Sequence, residues 1–149
     1  MNPISPTHVV LSPRHAEALQ AAAREAYPNE CCGLLLGEGD GAVVVTEVVP
    51  AANVAENPRA AFAIDPQAQF DLLRAMRGRE RRVIGHYHSH PDGRANPSPR
   101  DLAMAYDPGT VWLVMAASAK DASMPRAFRH PDGAASFVEV AVTIEDTAR

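Results

Sequence analysis

Two histidines and an aspartate stand at spacings that can hold a divalent metal. The string is His88-Ser89-His90-Pro91, six further residues, then Ser98-Pro99-Arg100-Asp101. Val83, Ile84 and Tyr87 read as a strand, so His88 and His90 project from one side of a pleated backbone. A strand rises about 3.3 Å per residue, which sets their Cβ atoms roughly 6.5 Å apart. Imidazoles at that separation can converge on one ion with metal–nitrogen bonds of about 2.0–2.1 Å. Pro91-Asp92-Gly93 turns the chain, and Ser98-Pro99 has the form of a helix start, Ser as N-cap and Pro at the first helical position. Asp101 falls on that first turn, from which a carboxylate can be aimed back at the histidines. Two His and one Asp leave a tetrahedral zinc with one open position, the arrangement of a catalytic rather than a structural site.

Each part has a blander reading. An isolated His-x-His is a weak signal. Ser98-x-x-Asp101 also resembles a capping box, with Asp in place of the usual Glu or Gln, and capping needs no metal. His86 shares parity with the pair, but in a regular strand it lies about 13 Å from His90, too far to share an ion. It reads as a supporting or core histidine. Ser89 points to the other face and satisfies local backbone.

The complete string resembles the JAMM (MPN-plus) metalloprotease family residue for residue. That family also places a glutamate upstream, before a Cys-Gly and a short apolar strand. Here Glu30-Cys31-Cys32-Gly33-Leu34-Leu35-Leu36-Gly37 fits. The resemblance implies zinc held by His88, His90 and Asp101, with Glu30 moving the proton from water to the departing amine. It implies that Ser98 hydrogen-bonds the developing oxyanion, with helix capping as the competing use of its hydroxyl. Cys31 and Cys32 read as core residues, since three harder ligands already complete an open site. The fold it implies is α/β: a cytidine-deaminase-like α-β-α sandwich around a mixed, partly barrelled sheet flanked by helices. The activity it implies is a zinc-dependent isopeptidase or peptidase cutting after the C-terminal Gly-Gly of ubiquitin-like or sulfur-carrier proteins. Such a tail would bind as an extended strand against an exposed sheet edge. The alternatives are a metallopeptidase of other specificity and, from another class, a non-catalytic MPN-type interaction module. The intact ligand set and Glu30 argue against the module.

Composition sets the bounds. At 149 residues the chain reads as a single domain, 1–149, with no repeat or linker. A net charge of −4 draws it neither to nucleic acid nor to anionic lipid. Arg74, Arg77, Arg79, Arg81 and Arg82 cluster, and read as a solvated helix end or, less simply, a docking patch for an acidic protein. Met1 to Pro6 carries neither the basic nor the apolar region of a signal peptide, and Val111 to Ala117 is too short an apolar run to span a bilayer. Two adjacent Cys are a poor basis for disulfides. A cytoplasmic protein is expected; its oligomeric state is left open, a homodimer included.

The spacing predicts an opening strand over His8–Leu11, a helix from Ser12-Pro13 to about Tyr27, and a hairpin of 31–36 with 42–49 through Glu38-Gly39-Asp40-Gly41. A further strand is expected over Ala60–Ile64. Asp65-Pro66 opens a helix whose Phe70, Leu73 and Met76 stripe reads as core. After the motif strand come a helix from Ser98 to about Tyr106, a buried strand over 111–116, and a closing hairpin through Pro131-Asp132-Gly133. His130 beside that turn receives no metal role.

Overall fold

A computed structural model describes residues 5–146. The four residues at the start, on which part of the leader reading rests, lie outside it. Among the described residues seven strands form one closed barrel in the order β1-β3-β2-β4-β5-β6-β7. They are β1 (His8–Leu11), β2 (Cys32–Glu38), β3 (Ala42–Ala51), β4 (Arg82–His90), β5 (Val111–Ala116), β6 (Arg126–Arg129) and β7 (Val138–Ile144). The helices are α1 (Pro13–Ala26), α2 (Pro66–Ala75) and α3 (Pro99–Ala103). No helix among these residues is long and apolar enough to cross a membrane.

Local chemistry accounts for most boundaries. Ser12 caps α1 by accepting from the His15 amide at 3.1 Å, with Pro13 in the first turn. Asp65 does the same for α2 from the Gln67 amide. Gly39 takes φ +98°, the left-handed conformation the β2–β3 turn requires. One apolar cluster gathers inward-facing residues of all seven strands, Val9, Leu35, Val43, Tyr87, Leu113, Ala127 and Val140 among them, with Leu19 and Ala23 of α1.

The mixed, barrel-like sheet with helices agrees with the expected α/β class. β1 pairs in parallel with both β3 and β7, which closes the order of strands. Each strand has a neighbour on both sides, but β1 covers β3 only over Ala42–Val44, so β3 beyond Val44 is paired on one side alone, with β2. Residues 60–64 are not a strand: only an isolated bridge joins Ile64 to Asn53, and the segment forms an arch over the sheet. The α2 stripe is not core either, since Phe70 and Leu73 are 53% and 50% exposed. Helical periodicity shows which residues share a face, not which way that face turns. α3 is also shorter than expected, ending at Ala103.

β4 is the strand that matters for function. It runs antiparallel to β2 and parallel to β5. A parallel neighbour demands a crossover, and residues 91–110, carrying α3, supply it. The crossover starts where β4 ends, so α3 sits beside His88 and His90. Alternate β4 residues face opposite ways: Tyr87 enters the main core, while His86 and His88 face Trp112 and Phe62. Gly33 on β2 makes room for Tyr87, whose hydroxyl and ring would clash with a Cβ there.

Candidate active site

His88 and His90 project from the end of β4 with their Nε2 atoms 3.1 Å apart. Asp101 reaches them from α3: its Oδ2 lies 3.0 Å from His88 Nε2 and 3.2 Å from His90 Nε2. The third corner of this triangle is set by a capping box. Ser98 Oγ accepts from the Asp101 amide at 3.1 Å, while the Ser98 amide donates to Asp101 Oδ2 at 2.8 Å. The capping box is thus compatible with Asp101 as a ligand and Ser98 as an oxyanion donor. A serine hydroxyl that accepts from an amide still has its own proton to give.

The triangle fits a small dication. Ligand atoms about 2.0–2.1 Å from a tetrahedral metal stand roughly 3.3 Å apart, close to the 3.0–3.2 Å between these donors. His90 donates Nδ1–H to the Arg94 carbonyl at 3.0 Å, which leaves its Nε2 lone pair for the site. All three residues are at least 95% buried, and three acceptors so close together need a cation or a proton among them. In the metal-free chain a proton serves. Burial pulls His90 down, but hydrogen bonding and charge from Asp101 outweigh it, so its pKa is raised. Burial pushes His88 down and keeps it neutral. Against its own burial, hydrogen bonds from both histidines and the Ser98 amide hold Asp101 well below the usual carboxylate range.

Glu30 completes the constellation from the start of β2. A carboxylate oxygen of Glu30 and one ring nitrogen each of His88 and His90 lie within 4.8 Å of one another. The Glu30 side chain is buried, and its Oε1 has no partner. Burial raises its pKa to about 7. Two three-ligand sets thus share the histidines, one through Asp101 and one through Glu30. The tighter triangle is the one with Asp101, already at ligand-to-ligand distance. An unpartnered carboxylate at the looser spacing has room for a water between itself and the metal position.

Every predicted site residue converges here: Glu30, His88, His90, Ser98 and Asp101. His86 does not join them. It packs edge-on to Trp112, with centroids 4.3 Å apart, and burial lowers its pKa to about 3. Cys31 and Cys32 are buried free thiols, and burial pushes Cys32 up to about 12, so neither offers a thiolate. Ser89 serves the segment just before β2 and not its local backbone, accepting from the Cys31 amide at 2.8 Å. His130 Nε2 sits 2.8 Å from the Ala134 carbonyl, within its turn.

Sequence reasoning missed the arch. Phe62 stacks on the His88 ring, centroids 4.3 Å apart and planes 18° from parallel, and Asn53 bonds the Glu30 carbonyl at 3.0 Å. Neither carries a spacing signal, because an irregular loop has no period.

Residues 12–132 match the family described as prokaryotic homologs of the JAB domain. The chain belongs to this family. The JAMM-type resemblance read from Glu30 and the motif string is thereby borne out. Over 87 residues this JAB-domain chain is 40% identical to a protein named desampylase from Haloferax volcanii, 58% of this chain and 62% of that one. The chain thus spans less than two-thirds of that relative's length. Over 117 residues it is 29% identical to a protein named CysO-cysteine peptidase from Mycobacterium tuberculosis, 78% of this chain and 79% of the relative. A solution structure of a protein from Desulfitobacterium hafniense superposes with a TM-score of 0.78 at 30% identity, covering 93% of both chains.

Proposed function

We propose that this JAB-domain chain is a zinc-dependent isopeptidase or peptidase, acting after the C-terminal Gly-Gly of ubiquitin-like or sulfur-carrier proteins. The observation that carries the reading is the buried triangle of His88, His90 and Asp101 with the unpartnered Glu30 carboxylate beside it. The names of the relatives, a desampylase and a CysO-cysteine peptidase, fit cleavage of a bond made to a small carrier protein. His88, His90 and Asp101 would hold the metal, in one domain that we assign the cytidine-deaminase-like description. Zinc, when bound, supplies a Lewis acid for the scissile carbonyl and acidifies a water. Glu30 would take a proton from the attacking water and return it to the departing amine, which a carboxylate with a pKa raised to about 7 can do near neutral pH. Ser98 uses its lone pair for the helix cap and its proton for the oxyanion. Two buried free thiols fit a reducing cytoplasm.

A Gly-Gly tail is thin enough to bring its carbonyl to a metal set among buried groups. The stretch of β3 beyond Val44, paired on one side alone, leaves an edge against which an extended tail can lie. The test is incubation of the zinc-loaded protein with Gly-Gly-tailed carrier adducts, read by intact mass. Adducts should be cut after Gly-Gly, and Val in place of the terminal glycines should abolish cleavage while carrier binding changes little. Equal cutting of bulky tails would overturn the substrate class.

Ser98→Ala should lower kcat roughly 10²-fold, the usual loss for one oxyanion donor, and lower stability by about 1 kcal/mol through the lost cap. Paired melting and turnover measurements separate the two. A stability loss with kcat intact would leave Ser98 as a cap only.

A further inference from the structure

We infer that Asn53 is a positioning residue for this site, one amide that ties the Glu30 main chain to the arch holding Phe62 on His88. The inference rests on the hydrolase reading above.

The Asn53 side chain uses its full hydrogen-bonding capacity. Its Nδ2 donates to the carbonyls of Glu30 and Ala61, both at 3.0 Å. Its Oδ1 accepts from the amides of Ala55 and Ala63, both at 3.1 Å. Two donors and two lone pairs are all that an amide side chain offers. The arch also holds the other main-chain group of Glu30, whose amide donates to the Pro58 carbonyl at 2.7 Å. Glu30 precedes β2, so no strand ladder fixes its backbone. Residues 53–58 do that instead.

The far end of the same clamp bears on the metal triangle. Asn53 grips Ala61 and Ala63, the two neighbours of Phe62, and Phe62 lies flat against the His88 ring. The base and one ring of the proposed ligand set are therefore referred to a single side chain that touches neither substrate nor metal. Proton transfer depends steeply on distance, and a misplacement of about 1 Å can cost 10²-fold in rate. Nothing in this geometry grips substrate, so the effect belongs in kcat and not in KM. The part carried through Glu30 should also vanish once Glu30 can no longer move protons.

The experiment is a double-mutant cycle of Asn53→Asp with Glu30→Gln in the zinc-loaded protein, with Asn53→Ala as a second variant. Aspartate is isosteric and still accepts from Ala55 and Ala63, but has no N–H for the Glu30 carbonyl. Expected is a roughly 10- to 100-fold fall in kcat with KM and zinc content unchanged. In the Glu30→Gln background, followed by long-incubation mass spectrometry, the same change should cost distinctly less, only the part transmitted through Phe62 and His88 remaining. An equal fold-loss in both backgrounds, or a rise in KM with kcat intact, would overturn the inference. A second readout needs no activity: hydrogen exchange at the Glu30 amide of the metal-free chain should speed up at least tenfold in Asn53→Asp, with the β5–β6 amides unchanged. If the wild type cuts no carrier adduct, the hydrolase reading has failed, and the exchange measurement alone judges the clamp. An unaltered Glu30 amide would overturn it.

Discussion

Glu30→Gln is expected to lower kcat about 10⁴-fold, or roughly 5 kcal/mol of barrier, while the protein keeps one zinc per chain. General acid–base assistance is typically worth 10²–10⁴, and in the proposed mechanism one carboxyl serves first as base and then as acid, which places the loss at the upper end. Gln preserves the shape and the buried position but cannot hold a transferable proton. Near wild-type turnover would remove Glu30 from the mechanism. Loss of zinc in this variant would move Glu30 into the metal's own ligand set, the looser of the two groups that share His88 and His90.

The same substitution should change stability with a definite sign. In the metal-free chain burial raises the Glu30 carboxyl to about 7, against 4.5 for an unperturbed one. Between those values the folded state binds more protons than the unfolded state, so stability falls as pH rises. Above pH 7 the penalty levels off at about 3 kcal/mol. Gln has no charge to desolvate. Metal-free Glu30→Gln should therefore melt above the wild type at pH 8 and level with it at pH 4. Identical melting at both would mean that the folded carboxyl is not perturbed by burial.

His88→Ala and Asp101→Asn should each abolish stoichiometric zinc binding and reduce turnover to background. The triangle has only three protein donors, and a site left with two loses far more affinity than the 10- to 100-fold that outer-shell changes cost. Asp101→Asn is the sharper test. An Asn carbonyl oxygen can still accept from the Ser98 amide, so the cap of α3 is kept while the anionic ligand is lost. Metal content by plasma mass spectrometry and melting with and without zinc report the outcome. Wild type should gain about 2.7 kcal/mol at a zinc concentration 100 times its Kd, and the variants should gain little. Undiminished zinc in both variants would remove this site.

The chemistry was legible in the chain because its parts are local. His88 and His90 share a face through strand parity, and the Ser98-Pro99 start of α3 puts Asp101 on its first turn. The helix starts at Ser12 and Asp65 and the turn at Gly39 were legible for the same reason, since capping and left-handed turns depend on neighbours in sequence. Glu30 was found only through family resemblance, because 58 residues separate it from His88 and no periodicity spans such a gap.

Tertiary structure alone decided the rest. Barrel closure depends on β1 finding both β3 and β7, a choice made by packing among distant strands. The Phe70 and Leu73 stripe was read as core and is exposed, because amphipathicity marks a face without giving its direction. The arch of residues 53–64 was read partly as a strand. Its structure comes from side-chain amide bonds to Glu30, Ala55, Ala61 and Ala63, which leave no repeating pattern in the sequence. The environment that lifts the Glu30 carboxyl is likewise a product of folding, since burial exists only once β2, β4 and the arch have come together.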